Sequence, residues 1–466
     1  MTSIKEPAGL RSDPALRGIA LAVVLGTIMT MLDATIVNVA VGVLGRELRI
    51  PLATVQWVVT GYTLALSMAI PVTGWAVGRF GAKRTWLVSL ALFGAGSALC
   101  GAAWSAGSLI AFRAVQGLGG GLLMPVAQTL LARAAGPGRM GRMMAVVSIP
   151  SMLAPALGPL AGGLLVDHLS WRWMFYVNVP VCAVALLLAV RLLPDDAEPR
   201  PDGRLDAVGL ALLSPGLAVL VYGLSQVGET AGGARAAAGM ALGAVLVAAF
   251  AVHASRRGER ALLDVRLFAD RSFTGSVAAL FCYSAGVFGV LLLIPLYSQA
   301  VSGPGVLEAG LLVAPMGAGA IVTMPLAGRL TDRVGPRPPA IAGMAAVLAG
   351  ILACALADAS AGTAPLAAAL FVIGLGHGLV TPAVMAGAYR SLPGAALPGA
   401  ATASQIVIRV GSALGAAVAA VVLQSLTRSG GADVPAFAGS LRWALAITAA
   451  ALVPMLLIPR GPAPSR

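Results

Sequence analysis

The sequence predicts an all-α integral membrane protein with fourteen transmembrane helices arranged as six, two and six, and three observations carry that reading. The 466 residues are 58% hydrophobic and only 11% charged, with a mean hydropathy of +0.91, too apolar for a water-soluble globule. Apolar stretches of about 20 residues, the length a helix needs to cross a bilayer, recur along nearly the whole chain. The 31 Lys and Arg residues outnumber the 18 acids for a net charge of +13, yet they fall in short clusters between those stretches. Such clusters report topology and argue against a nucleic-acid partner.

The first stretch, Ile19 to Leu44, follows a tail carrying Lys5, Arg11 and Arg17. It exceeds the roughly 7 to 15 apolar residues of a signal-peptide core and is expected to be a permanent span. Further spans are expected near 54–77, 85–104, 107–131, 143–166 and 173–193, completing an N-terminal six-helix half over residues 1–193. A charged linker from Pro194 to Asp206, two shorter spans near 207–225 and 236–254, and a second linker from Arg256 to Arg271 form an insert over 194–271. Spans near 273–298, 306–327, 339–357, 364–386, 400–424 and 441–459 make a C-terminal half over 272–466. With the N-terminal tail in the cytoplasm, alternation places 23 Lys and Arg inside and six outside, leaving Arg113 and Arg409 within spans. That bias is the positive-inside pattern for two cytoplasmic termini. Cys100, Cys182, Cys282 and Cys354 lie inside apolar segments without metal-ligand spacing and are expected to be buried free thiols.

The chain repeats itself. Gly117-Leu-Gly-Gly-Gly-Leu-Leu-Met-Pro125 aligns without gaps on Gly374-Leu-Gly-His-Gly-Leu-Val-Thr-Pro382, six of nine positions identical at an offset of 257. The loop Gly74 to Arg84 recurs as Gly328 to Arg337 at an offset of 254. Two duplicated halves with an inserted helix pair follow from that match. The copies differ where polarity is concerned: Arg113 corresponds to Leu370, Gln116 to Ile373, and Gly120 to His377.

Among the 18 acids, only Asp33 lies deep in an expected span, about 14 residues in. At about 1.5 Å per residue that is ~21 Å, slightly beyond mid-depth, and Arg113 enters span four to a similar level, ~10 Å from outside. Low dielectric disfavours a carboxylate charge while a guanidinium favours it, so solvent access can switch proton binding, as a proton-coupled carrier requires. The other reading is a static Asp33–Arg113 ion pair that fixes packing, set against the rule that intramembrane charges are costly and functional. Arg409 shares a helical face with Gln405 and Ser412. It either lines a cavity or snorkels to the cytoplasmic side. His377 is either a packing residue or a proton relay. Asn38, Gln56, Tyr62, Gln116 and Gln405 are candidate cavity polar groups, with helix packing and interfacial anchoring as the bland reading of each. The acids of the first linker alternate with prolines and arginines as in a solvated segment, and no P-loop, Ser/His/Asp set or strand-borne G-x-G-x-x-G is present. No enzyme activity, cofactor or metal is therefore expected.

These motifs together resemble the major facilitator superfamily, specifically its fourteen-helix drug:proton antiporters, over nearly the whole chain. Leu32-Asp33-Ala34-Thr35-Ile36-Val37-Asn38-Val39-Ala40 resembles the first-helix motif, and Gln56-Trp57-Val58-Val59-Thr60-Gly61-Tyr62 the second-helix opening. Arg113-Ala114-Val115-Gln116-Gly117 resembles the arginine motif implicated in proton transfer. Gly158-Pro159 with Gly162-Gly163 resembles the antiporter motif, and Trp171-Arg172-Trp173 through Asn178-Val179-Pro180 a further marker. The cytoplasmic gating loop is complete in the second copy, Gly328, Asp332, Arg333, Gly335 and Arg337. The first copy keeps Gly74, Arg79 and Gly81 but has Gly78 in the acid's place, and Val41 and Gly42 follow the first motif where a proline is usual.

The resemblance implies proton-coupled efflux of a hydrophobic or amphipathic small molecule by alternating access, with Asp33 and Arg113 coupling protons. Few acids lie within the membrane, which favours a neutral or monocationic substrate over a dication. The use of 29 Arg and two Lys resembles a GC-rich bacterial coding bias, which implies a bacterial cytoplasmic membrane. Partners are the bilayer, protons and the substrate; oligomeric state is not encoded in any of these motifs. A proton-coupled importer is the competing transport reading, against which the Gly-Pro motif argues. A non-transporting sensor has no use for Asp33 and Arg113.

Overall fold

The computed structural model describes residues 14–196, 204–227, 233–302, 306–357, 363–427 and 434–461. Among these residues the fold is all-helical. Fourteen helices have 15 residues or more: α1 (Pro14–Val39), α2 (Leu52–Ala69), α3 (Ala82–Gly101), α4 (Ala106–Ala135), α5 (Met140–His168), α6 (Asn178–Leu192), α7 (Ala207–Ser225), α8 (Gly233–Arg257), α9 (Arg271–Ser302), α10 (Val306–Val334), α11 (Arg337–Leu356), α12 (Ala364–Tyr389), α13 (Leu397–Thr427) and α14 (Val434–Ala450). Short helices extend four of them: Val41–Glu47 follows α1, Thr73–Phe80 continues α2, Trp173–Tyr176 leads into α6, and Leu452–Met455 follows α14.

Among the described residues twelve helical stretches are long and apolar enough to cross a membrane, against the fourteen expected. The difference falls on α3 and α5. Lys83 and Arg84 in the first turn of α3 dilute its apolarity, and in α5 only a shorter apolar piece, Met140–Ile149, stands out among the described residues. Both helices nevertheless have membrane-crossing length, 20 and 29 residues.

The repeat reappears as packing. In the first bundle α2 and α3 pack on α4, α1 packs on α5 and α6, and α3 on α6. The second bundle pairs α10 and α11 with α12, α9 with α13 and α14, and α11 with α14, the same five contacts in the same order. The repeated glycines explain why. A Cβ on Gly119 would lie 2.6 Å from the Phe93 nitrogen of α3, and Gly117 and Gly121 face the α2 backbone at Tyr62 and Leu66. Gly376 faces α11 at Gly343 and Val347 in the same way, while Gly374 and Gly378 face α10 at Met316 and Ala320. Small residues at these contacts let backbones touch where a bilayer supplies no hydrophobic drive between helices.

Gly81 and Gly335, related by the repeat, both turn the chain at φ +93°, a conformation that favours glycine. At the other end of the first bundle Ser105 and Ser108 close a reciprocal cap on α4. The arginine-rich turns near 79–84, 133–142 and 329–337 gather at one end of the molecule, here called the basic end. There α5 packs on α10 and α12, and α13 on α4 and Thr73–Phe80, so the two bundles close on each other. The inserted helices α7 and α8 pack mainly on one another; α7 also touches α2 and α13, while α8 is the least buried of the twelve candidate spans. The four cysteines are free thiols, three buried and Cys282 half-buried.

Candidate functional site

Asp33 is fully buried in α1, and so are Arg113 and Gln116 one helical turn apart on α4. Arg113 Nη1 donates to Asp33 Oδ2 at 2.5 Å and to Gln116 Oε1 at 2.8 Å, while Gln116 Nε2 donates to Asp33 Oδ1 at 2.9 Å. A third donor comes from Asn178, the first residue of α6, whose Nδ2 lies 3.1 Å from Asp33 Oδ1. The carboxylate thus accepts from three side chains on two neighbouring helices. Arg113 is itself fixed by donation from Nε to the Val58 carbonyl of α2 at 3.2 Å, and its guanidinium stacks 4.0 Å over the Tyr62 ring.

The outer layer of this cluster explains its geometry. Asn178 Nδ2 also lies 3.0 Å from Ser97 Oγ of α3, and Ser97 donates to the Phe175 carbonyl at 2.9 Å. Gly158 approaches Thr35 on α1 so closely that a Cβ would overlap its hydroxyl, and Thr35 donates to the Ala154 carbonyl at 3.1 Å. The Gly-Pro motif therefore packs against α1 at Thr35, two residues from Asp33. Gly162 is buried, a Cβ on Gly163 would meet open space, and the side chain of Pro159 lies outside the described residues. Among the described residues Asn178 Oδ1 and the Tyr62 hydroxyl are buried without hydrogen-bond partners.

Sequence reasoning placed Asp33, Arg113, Gln116 and Tyr62 as candidates, and the structure brings all four together. It missed Asn178 and Ser97. Asn178 opened a motif that was noted only as a marker; an amide entering an apolar span was the available signal. Gln56 is exposed and Gln405 half-buried, neither hydrogen-bonded among the described residues, and the side chain of Asn38 lies outside them.

The second bundle carries no copy of the cluster, since Leu370 and Ile373 stand fully buried where Arg113 and Gln116 would be. His377 sits between Tyr283 Oη, 2.5 Å from Nδ1, and Thr381 Oγ1, 3.3 Å from Nε2. Arg409 lies with Ser67, Ile70, Leu217 and Val221 along a narrow crevice between α2, α7 and α13.

At the basic end the two copies of the repeated loop diverge. Asp332 accepts from the Gly141 backbone N–H at 2.9 Å and pairs with Arg142 at 3.1 Å, holding α10 on the first turn of α5, where the helix dipole favours an anion. Gly328 and Gly335 serve backbone approaches, to Arg142 and to Gly461. In the first copy Gly74 faces Gly399 and Thr402 at the start of α13, but a Cβ on Gly78 would meet nothing within 4 Å. Asp196 instead caps α3 beside Gly81, accepting from the Lys83 and Arg84 N–H groups at 2.9 and 3.0 Å. Asp195 pairs with Lys83 at 2.8 Å, and that hydrogen bond holds its carboxyl below the usual range.

The sequence model described as the Major Facilitator Superfamily matches residues 23–416 and again 277–466. The chain is 38% identical over 419 residues to a "Multidrug resistance protein B homolog" of Mycobacterium tuberculosis, covering 89% of this chain and 77% of that one. It is 32% identical over 431 residues to the "Tetracenomycin C resistance and export protein" of Streptomyces glaucescens, covering 90% and 79%. Among solved structures, the proton:xylose symporter XylE superposes with a TM-score of 0.63 at 15% identity, covering 94% of each chain. The match of the family over most of the chain and the shared fold lead to one conclusion: this chain belongs to the major facilitator superfamily and is a multi-pass membrane transporter.

Proposed function

We propose that this transporter expels hydrophobic or amphipathic small molecules, antibiotics among them, in exchange for protons. It sits in a bacterial cytoplasmic membrane with both termini inside. Fourteen spans divide into halves at 1–193 and 272–466 with α7 and α8 inserted over 194–271; the lengths of α3 and α5 and the five matched helix pairings support that count. The export and resistance functions named for the relatives support the direction of transport.

The observation that carries the coupling reading is the sealed Asp33 cluster. Its carboxylate accepts from three donors and is sealed from solvent, so the packing of α1, α4 and α6 must change before it is exposed. A rigid-body separation of the bundles moves α1 and α4 against lipid and water differently, and substrate entering the seam competes for the same conformational change. Each proton carried inward contributes about 2.3 kcal/mol per 100 mV, enough for one to sustain an appreciable substrate gradient. The closed basic end corresponds to an outward-facing or occluded stage of the cycle.

The deciding experiment is substrate-triggered proton release from proteoliposomes, screened with amphipathic antibiotics and dyes on wild type and Asp33→Asn. Coupled release that falls by more than tenfold in Asp33→Asn is expected. Equal coupling in the two proteins would remove Asp33 from the mechanism, and proton uptake with substrate accumulation would make the protein an importer.

A further inference from the structure

We infer that the substrate this transporter takes is an amphipathic anion, whose carboxylate or ionised hydroxyl pairs with Arg409 while its apolar body lies against α7. The inference rests on the efflux reading above and names its substrate class.

Arg409 is the thirteenth residue of α13, ~18 Å from the basic end of that helix at about 1.5 Å per residue. A side chain cannot snorkel that far. Among the described residues it has neither an ion pair nor a hydrogen bond. The other charges deep within the spans, Asp33 and Arg113, are paired with each other. Arg409 is half-buried, and a guanidinium this deep in a span is costly unless water or an anion joins it. The charge that is missing is negative, which reverses the preference for a neutral or cationic substrate that the scarcity of acids suggests.

The surroundings fit a molecule with one acidic and one apolar end. Ile70 and Ser67 line one wall of the crevice, Leu217 and Val221 of the inserted helix α7 another, and Ile406 flanks Arg409 on its own helix. Tyr62, with its unpartnered hydroxyl, is within electrostatic reach of Arg409 and also stacks on Arg113, so the crevice adjoins the Asp33 cluster. In this closed arrangement the crevice has no room even for a water molecule, so a ligand enters only once its walls separate. It lies where the bundles meet and widens when they part. The inserted pair is thereby given a task, since α7 is tied to α2 by Ser214 Oγ donating to the Met68 carbonyl at 2.8 Å and by stacking of Trp57 on Tyr222 at 5.9 Å.

The test uses a matched probe series, pyrenebutyrate, pyrenebutanol and a pyrenebutyl trimethylammonium, bound to the full-length protein in zwitterionic nanodiscs. Wild type is expected to bind the carboxylate at least tenfold more tightly than the alcohol. Arg409→Gln should erase that difference while still binding the alcohol, which shows that it is folded, and Arg409→Lys should retain most of it. Absent carboxylate binding, a preference for the cation, or equal weakening of all three probes by Arg409→Gln overturns the inference. Complete displacement of pyrenebutyrate by phosphatidylglycerol also overturns it, making the occupant a lipid headgroup. The same probes in proteoliposomes separate the two readings. Arg409-dependent carboxylate binding without proton-coupled flux sinks efflux alone, whereas proton-coupled export of the cation that survives Arg409→Gln sinks the anion assignment alone.

Discussion

Asn178 shows how a single amide can tune a buried carboxylate. It gives Asp33 one of its three donors and ties that carboxylate, through Ser97, to the Phe175 carbonyl. Asn178→Ala removes both bonds and is expected to cost about 1–3 kcal/mol, because a buried charged acceptor loses a donor without gaining water. The purely structural part of this effect is read as lower thermal stability in detergent. A role in coupling appears as a shifted pH profile of substrate-evoked proton release; an unchanged profile leaves Asn178 a packing residue. Asp33, Arg113 and Gln116 were readable from sequence because charge and amide groups in apolar spans are rare and the repeat lacks them at Leu370 and Ile373. Asn178 carried only the weak signal of an amide entering an apolar span, and Ser97, in a Gly/Ser-rich span, carried none. Only the crossing of α1, α3 and α6 makes them neighbours.

At the scale of elements, the repeated glycine stripe and the caps decide how closely helices approach. Gly119→Ala would press a methyl onto the backbone of α3 and is expected to destabilise the first bundle by about 1–3 kcal/mol, with Gly376→Ala doing the same to the second. Gly138→Ala, in an exposed turn with open space around it, is the control and should change stability by less than about 0.5 kcal/mol. Asp206 caps α7 and gathers the inserted pair, accepting from the Gly209 and Leu262 N–H groups, from Arg257 Nη1 and from His253 Nε2. Burial alone would raise its pKa, but these hydrogen bonds and the neighbouring His253 hold it below the usual carboxylate value. A depressed folded-state value means that the clamp stabilises fully above the ordinary carboxylate range and is lost as pH falls through the depressed value. Melting curves from pH 7 downward should therefore show Asp206→Asn less stable than wild type by about 1–3 kcal/mol near neutrality, with the gap closing at acid pH. A gap independent of pH would mean the contacts are steric.

Across the whole molecule, the duplicated halves meet most tightly at the basic end, and the contact there is lopsided. Gln128 and Met385, equivalent positions at the repeat offset of 257, touch each other at 3.8 Å, so the pseudo-symmetry axis runs between them. The Tyr389 hydroxyl adds a hydrogen bond to Gln128 at 3.0 Å. To one side of the axis Asp332 binds the start of α5; to the other, Gly78 offers nothing to the start of α13. The duplicated bundles were readable from sequence because Gly and Pro spacing survives duplication. The closed end was not, since closure depends on which bundle faces meet, and no single helix encodes that. Because one loop supplies the only acid of the two, weakening it should release the gate. Ala145 is a direct reporter: it is 6% exposed, packed with Ala320 and Met324 between the bundles. In a background lacking the four native cysteines, Ala145→Cys should react slowly with a membrane-impermeant maleimide applied from the side of the basic end. Adding Asp332→Asn is expected to speed labelling by about 5- to 30-fold, the population change that ~1–2 kcal/mol produces. Gly78→Asp should slow it, by placing a carboxylate near the first turn of α13 where the helix dipole favours one. Labelling that ignores both substitutions would show that the glycine and Gln128–Tyr389 contacts hold the basic end shut without the acid.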